Sequence, residues 1–368
     1  MRWSKAIWSP LAFLLIGVET QAAGIGPVHY RLTPDSGYVW GCVAGPCDCA
    51  TRGPVSVIGT FELELQQAGP LYTDYRLTDI VWYVDLPEGR TRLAGDGTYR
   101  VGGEVAVVQQ LEMTLTSPDG TVRHFDSGLV SGGGQLPRID VQTFVTGSEC
   151  VEAAIHVVAE PAPYTVYRLG QKSAFTQGCF DGICLCVVEG PFPLSGTFLL
   201  TLIDANPLYA TYALTDVRWA AATDGSPLTI RGDGLYRIGG EVGITQELDL
   251  DLVVDDDATS DHLESEVGLV FGGFPAIDAV ASTHTMCFNR RVDLQARPAG
   301  DFNLDGSVDR VDLDVFSRCL TGPTIEQSDL NCAATDIDGD SDVDMNDFGI
   351  FQRCYSGAGK VAAPDCAT

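Results

Sequence analysis

A unit of about 137 residues occurs twice in succession, and no other feature narrows the possible folds as much. Gly59-Thr60-Phe61-Glu62-Leu63 returns as Gly196-Thr197-Phe198-Leu199-Leu200, and Pro70-Leu71-Tyr72 returns as Pro207-Leu208-Tyr209. Leu77-Thr78-Asp79 and Trp82 answer to Leu214-Thr215-Asp216 and Trp219. Gly95-Asp96-Gly97-Thr98-Tyr99-Arg100-Val101-Gly102-Gly103-Glu104-Val105 becomes Gly232-Asp233-Gly234-Leu235-Tyr236-Arg237-Ile238-Gly239-Gly240-Glu241-Val242. A repeat of this length is domain-sized and far longer than a solenoid unit. The chain divides into a leader (1–23), two copies of one domain (24–160 and 161–298) and a C-terminal remainder (299–368).

Each copy reads as strand. Phe61, Leu63 and Leu65 alternate with Glu62, Glu64 and Gln66, and Leu248, Leu250 and Leu252 alternate with Glu247, Asp249 and Asp251. Period-two patterns belong to sheets with one dry and one wet face. Asp96-Gly97 and Asp233-Gly234 read as hairpin turns, and Gly102-Gly103 with Gly239-Gly240 as a further turn or bulge. Short strands, Gly-rich turns and no long helical period predict two tandem β-sandwich or barrel-like repeats.

The cysteines repeat as well: Cys42, Cys47, Cys49 and Cys150 match Cys179, Cys184, Cys186 and Cys287. Four cysteines allow three pairings. A Cys47–Cys49 bond would be strained. One local bridge from Cys42 and one long bridge from Cys150 to Cys47 or Cys49 are therefore expected, and the second copy should follow. A zinc site is the alternative, but no histidine recurs near these thiols.

The start of the chain explains why the thiols should be oxidised. Arg2 and Lys5, the apolar run Ile7 to Val18 and the small-residue context Thr20-Gln21-Ala22 form a secretory signal peptide. That places the protein outside the cell or on its surface, where disulfides persist. The apolar run is short for a membrane span, and no span is expected in the mature chain. A formal charge of −28 excludes nucleic acid and anionic membrane as partners.

The acidity is concentrated at the end, with fourteen carboxylates against four Lys or Arg from Asp301 to Thr368. Two twelve-residue blocks there, DFNLDGSVDRVD and DIDGDSDVDMND, are built as calcium loops. Such loops take oxygens from positions one, three, five, nine and twelve and a backbone carbonyl from position seven. The first block supplies Asp301, Asn303, Asp305, Asp309 and Asp312, with Ser307 at the carbonyl position. The second supplies Asp336, Asp338, Asp340, Asp344 and Asp347, with Asp342 at the carbonyl position. Hard oxygen donors in this density fit two Ca²⁺ ions and not zinc or copper. Gly306 occupies the sharp turn of the first loop. In the second, Ser341 stands there and Gly339 lies two places earlier. Val308 and Val343 are placed to pack between facing loops.

Closure by Asp rather than Glu, in two near-copies, resembles a type I dockerin module. The resemblance implies one short helix after each loop, and Leu313, Val315, Phe316, Cys319 and Leu320 answer to Phe348, Ile350, Phe351, Cys354 and Tyr355 at an offset of 35. It also implies docking onto a cohesin-like partner through residues at the helix starts, here Arg310-Val311 and Met345-Asn346. Cys319–Cys332 and Cys354–Cys366 are the natural remaining pairs.

No nucleophile, metalloprotease or phosphate-loop motif is legible. His29, His124, His156, His262 and His284 have no counterparts at the repeat offset. The polar residues shared by both copies (Asp79/Asp216, Asp96/Asp233, Arg100/Arg237, Glu104/Glu241) include carboxylate pairs of the kind glycoside hydrolysis uses. Each also has a plain reading. Asp96 and Asp233 belong to turns, Asp79 and Asp216 to strand ends, and Arg100 with Glu104 to a cross-strand ion pair. Trp82 and Trp219 read as core anchors, and Tyr and Trp exposed on a sheet, Tyr72 and Tyr209 among the shared residues, could instead stack on sugars, although no aromatic row is legible. The chain thus reads as a secreted calcium-binding tether with a non-catalytic duplicated β body. The alternatives are a hydrolase or carbohydrate-binding component of extracellular polysaccharide degradation, and a surface or adhesive structural protein.

Overall fold

The computed structural model describes residues 26–368 apart from 148–149, 181–183, 256, 258 and 271–272. The expected signal peptide lies outside the described residues. The first copy contains β1 (Val28–Leu32), β2 (Gly37–Ala44), β3 (Arg52–Ala68), β4 (Tyr72–Leu86) and β5 (Gly89–Gly102). It continues with β6 (Val108–Thr116), β7 (Val122–Asp126), β8 (Val130–Ser131), β9 (Ile139–Val145) and β10 (Val151–Pro161). The second copy repeats them as β11 (Thr165–Leu169), β12 (Ala174–Gly178), β13 (Glu189–Ala205), β14 (Tyr209–Ala221) and β15 (Leu228–Gly239). Then come β16 (Thr245–Val254), β17 (Asp261–Glu264), β18 (Gly268–Leu269), β19 (Ile277–Ser282) and β20 (Asn289–Pro298).

Both sheets are wholly antiparallel and close on themselves. In the first, pairing runs β2-β3-β4-β5-β6-β7-β9-β10, and β10 returns to β2. In the second, β12-β13-β14-β15-β16-β17-β19-β20 closes through β20 and β12. Each copy is therefore an eight-stranded barrel, which abolishes the free edges that an open sheet exposes. The alternation read from the sequence sets the inside: β16 alternates half-buried and buried residues along its whole length.

The interiors are duplicated as faithfully as the sequence. Tyr30, Phe61, Trp82 and Tyr99 fill one barrel, and Tyr167, Phe198, Trp219 and Tyr236 fill the other. Tyr30 stacks on Phe61 with centroids 5.2 Å apart, and Tyr167 stacks on Phe198 at the same 5.2 Å. Disulfides Cys42–Cys49 and Cys47–Cys150 brace the first copy, and Cys179–Cys186 and Cys184–Cys287 the second. The long bridges span 103 residues each, worth about 4.7 kcal/mol in the chain-entropy account.

Three local expectations fail. Asp96-Gly97 and Asp233-Gly234 are not turns but lie inside β5 and β15. A Cβ on Gly95 would fall 1.9 Å from the Thr114 carbonyl oxygen, so glycine is needed there for close cross-strand approach. Asp79 and Asp216 are not at strand ends. They occupy bulges within β4 and β14 at left-handed φ of 52° and 51°. Arg100 pairs with Asp74 at 2.6 Å rather than with Glu104, because Asp74 is its direct cross-strand partner.

Candidate calcium module

The remainder folds as α1 (Arg310–Cys319), a 3₁₀ turn over Leu330–Thr335 and α2 (Met345–Cys354). Each acidic block wraps into the start of one helix. Asp309 caps α1 by accepting from the Val311 amide, and the Asp312 carboxylate accepts in turn from the Asp309 amide at 2.9 Å. Asp344 and Asp347 do the same for α2, 2.8 Å. These are capping boxes with Asp at both ends, each satisfying two orphan amides.

The loops curl around their own carboxylates. Asp301 Oδ2 accepts from the Gly306 amide at 3.0 Å, and its Oδ1 accepts from the Asp305 amide at 3.1 Å. Asp305 Oδ1 accepts from the Ser307 amide and hydroxyl, and the Asn303 side-chain amide donates to Asp305 Oδ2. In the second loop Asp336 Oδ2 accepts from Ser341, Asp338 Oδ1 from Asp340, and Asp340 Oδ1 from Asp342. Asp312 and Asp347 are fully buried and accept the amides of Phe302 and Ile337 at 2.8 and 2.7 Å.

Position six requires a left-handed backbone in both loops, and so does position four. Gly306 and Leu304 adopt φ of 87° and 57°; Ser341 and Gly339 adopt 83° and 76°. Each loop thus holds one glycine and one residue with a side chain in that region, with the glycine's place exchanged between the copies. That accounts for the displaced Gly339.

The electrostatics are those of a site short of positive charge. Burial first, then neighbouring carboxylates, pushes the Asp301 carboxyl up to about 6 and that of Asp347 up to about 7. Asp312, Asp336 and Asp338 are raised for the same leading reason, whereas the Ser307 hydroxyl holds Asp305 below the usual range. Ligand oxygens of Asp336, Asp338 and Asp340 lie within 4.8 Å of one another, as do those of Asp342, Asp344 and Asp347. Asp336 Oδ1 and Asp342 Oδ1 are buried with no hydrogen-bond partner. An all-oxygen donor set with orphaned, crowded carboxylates fits a hard divalent cation. Calcium, when bound, supplies the charge that makes this crowding favourable.

The halves brace each other reciprocally. The Val308 carbonyl accepts from Ser356 and Gly357 beyond α2, and the Val343 carbonyl accepts from Thr321 and Gly322 beyond α1. Val308 and Val343 are buried, as anticipated, beside a stack of Phe302, Phe316, Phe348 and Phe351. Cys319–Cys332 and Cys354–Cys366 close the two halves. No free cysteine is found among the described residues. Leu320 and Tyr355 fall outside the apolar stripe and are half exposed at the helix ends.

Sequence reasoning missed the fact that both loops are docked on the second barrel. The Thr165 hydroxyl donates to Asp301 Oδ2 at 2.6 Å in a buried position. The Gln171 amide donates to the Asp338 carbonyl, and Arg297 donates to the Ala333 carbonyl at 2.9 Å. Val166 and Leu199 join the module's own core. The traces in the sequence are three: Thr165, Gln171 and Arg297 stand where the first copy has Val28, Pro34 and Glu160.

This geometry defines a paired, EF-hand-like calcium module. Residues 299–353 match the family model for the Dockerin type I domain. Dockerin domains bind calcium and cohesin-type partners, and they serve as calcium-dependent tethers between proteins. No curated protein and no solved structure matches the chain. No described helix is long and apolar enough to cross a membrane.

The other sequence candidates are scattered. Trp82 and Trp219 are buried core residues. Tyr72 and Tyr209 are covered by the guanidinium groups of Arg100 and Arg237, 5.5 and 3.8 Å from the ring centroids. Glu104 and Glu241 lie on exposed loops after β5 and β15. Asp79, Asp96, Asp216 and Asp233 are the exception, because all four line one cleft between the barrels, and His29 lines it with them, bonded to Glu62 and Thr201.

Proposed function

We propose that this is an exported protein whose C-terminal module takes two Ca²⁺ ions and tethers a non-catalytic pair of barrels to a cohesin-like extracellular partner. The ligands are Asp301, Asn303, Asp305, Asp309 and Asp312 with the Ser307 carbonyl, and Asp336, Asp338, Asp340, Asp344 and Asp347 with the Asp342 carbonyl. The observation that carries this reading is the doubled capped loop within the family match. Its docking on the barrel supports it too, since it leaves Arg310, Val311, Met345 and Asn346 exposed. Val311 and Met345 are 55% and 69% accessible, as a partner contact at the helix starts requires.

Calorimetric titration of the mature full-length chain should show two calcium ions per chain. Capture on an immobilised type I cohesin should need calcium and vanish with chelator. Val311→Glu with Met345→Glu should weaken capture roughly 100-fold while calcium uptake is retained, the loss expected when two central contacts are removed. Capture that ignores both chelation and the double variant would sink the reading.

A further inference from the structure

The two barrels present the same face to each other. On one side they are packed: Val81 and Tyr83 meet Ile203, Ala213 and Leu235 in a small apolar core. Beside it the Tyr83 hydroxyl and Arg92 both donate to Asp233. Next to this contact the surfaces part and leave a cleft of about 950 Å³. That volume lies within the ordinary range for small-molecule sites.

Equivalent positions of the duplicated unit face the space together, notably Asp79 with Asp216 and Asp96 with Asp233. Bulges next to sites re-aim side chains, and a non-glycine residue at positive φ is retained where the surroundings enforce it. Asp79 and Asp216 meet both descriptions.

Two further hydroxyls lining the cleft carry the argument. Thr60 Oγ1 and Thr215 Oγ1 are buried, at 1% and 8% residue exposure, and neither has a hydrogen-bond partner. Buried polar groups are almost always satisfied, so such orphans mark a place where something else supplies the bond. The exposed charges in the cleft are also unspent. Among the described residues, no hydrogen bond or ion pair engages the side chains of Arg76, Asp79, Asp96 or Arg231.

The mixture of these groups selects the ligand class. Phosphate or sulfate would meet Asp79, Asp96 and Asp216, and a bare cation would meet Arg76, Arg218 and Arg231. A neutral polyhydroxylated ligand suits both signs at once, because each hydroxyl donates to a carboxylate and accepts from a guanidinium or threonine. We propose that the inter-barrel cleft is a binding site for a short neutral oligosaccharide, held by Arg76, Asp79, Asp96 and Arg231 with the Thr60 and Thr215 hydroxyls. The proposal goes beyond tethering, and the calcium module contributes only Pro364 to the lining and none of the proposed contacts.

The test is calorimetric titration of the mature full-length chain with four neutral tetrasaccharides, built of glucose, xylose, mannose or galactose units. At least one should saturate. Arg76→Ala and Asp79→Asn should each weaken it about tenfold or more; asparagine tolerates the left-handed backbone as aspartate does, so the fold is kept. Arg100→Ala, whose guanidinium is spent on Asp74 outside the cleft, should leave it unchanged. Chelation should abolish cohesin capture without touching saccharide binding, which separates this proposal from the tethering reading. No heat from any of the four sugars at millimolar concentration overturns it, and so does binding that survives both cleft variants.

Discussion

This chain contains two duplications, and they have aged differently. In the calcium module the copies keep the same chemistry: both loops cap a helix with an Asp pair, both bury the closing carboxylate, and each braces the other through position eight. In the barrels the copies keep the same core but have divided their surface. Asp96 and Asp233 occupy the same point of the same strand, yet Asp96 is exposed and unpaired, whereas Asp233 is buried under Arg92 and Tyr83. The metal site explains the difference. A calcium loop needs every ligand in place, so each copy is held to one pattern. A barrel exterior has no such demand until two barrels meet, and then each copy can take a separate part in the contact.

The sharpest test of that division is Arg92→Ala. It leaves the Asp233 carboxylate buried without its guanidinium and should cost about 3–5 kcal/mol in urea denaturation. At the equivalent position of the second barrel, Thr229→Ala should stay within about 1 kcal/mol. Equal losses would mean that the barrels have not divided their roles.

The equivalence of the loops should break at Thr165, whose side chain reaches a ligand carboxylate of the first loop alone. Thr165→Val removes a hydrogen bond to the Asp301 carboxylate, a kind of bond worth about 1.5–3 kcal/mol. Calcium affinity should fall roughly tenfold or more at one site and remain at the other. A uniform fall, measured by two-site calorimetry, would show that Thr165 acts on the whole module.

Protons should separate the loops next. Burial pushes the Asp347 carboxyl up to about 7 and that of Asp301 up to about 6, so the second loop should lose calcium first as pH falls. Below the higher value its affinity should drop about tenfold per pH unit. The metal-free module should behave in the opposite sense. These folded values lie above the unfolded one, so their contribution is full below about pH 4 and is lost as pH rises through 6 to 7. Thermal melts with chelator should therefore fall with pH over that window, while melts with calcium rise.

The smallest effect concerns the exchanged glycines. Ser341→Gly relieves a left-handed serine and should stabilise the module by about 1 kcal/mol, read as a small rise in melting temperature. Gly306→Ala should do the reverse more strongly, because its Cβ would fall 2.2 Å from that of Pro163.

Much of this was legible in the chain itself, wherever a physical rule acts locally. Alternation around Phe61 and Leu248 reports strands, Trp82 and Trp219 report a core, and the ligand spacing of the loops reports their metal. Gly95-Asp96-Gly97 misled because the same glycines that open a turn also permit close strand approach. Which of the two applies depends on a carbonyl of Thr114 nineteen residues away. The cleft was invisible for a related reason. Asp79 and Asp216 lie 137 residues apart, and only the closure of two barrels puts them against one space.

The path of the chain through each barrel matters most under load. β1 and β10 pair so that Tyr30 opposes Pro161, and β11 and β20 pair so that Tyr167 opposes Pro298. Entry and exit therefore lie side by side, and a pull between an anchored module and whatever holds the other end would part these strands one rung at a time. That is a weak geometry, but the Cys47–Cys150 and Cys184–Cys287 bridges stop it early, each sealing off a span of 103 residues. Only roughly 30 residues per barrel can pay out, about 100 Å of extended chain. Each barrel then acts as a shock absorber with a fixed stop, yielding a short length of slack while its body stays folded.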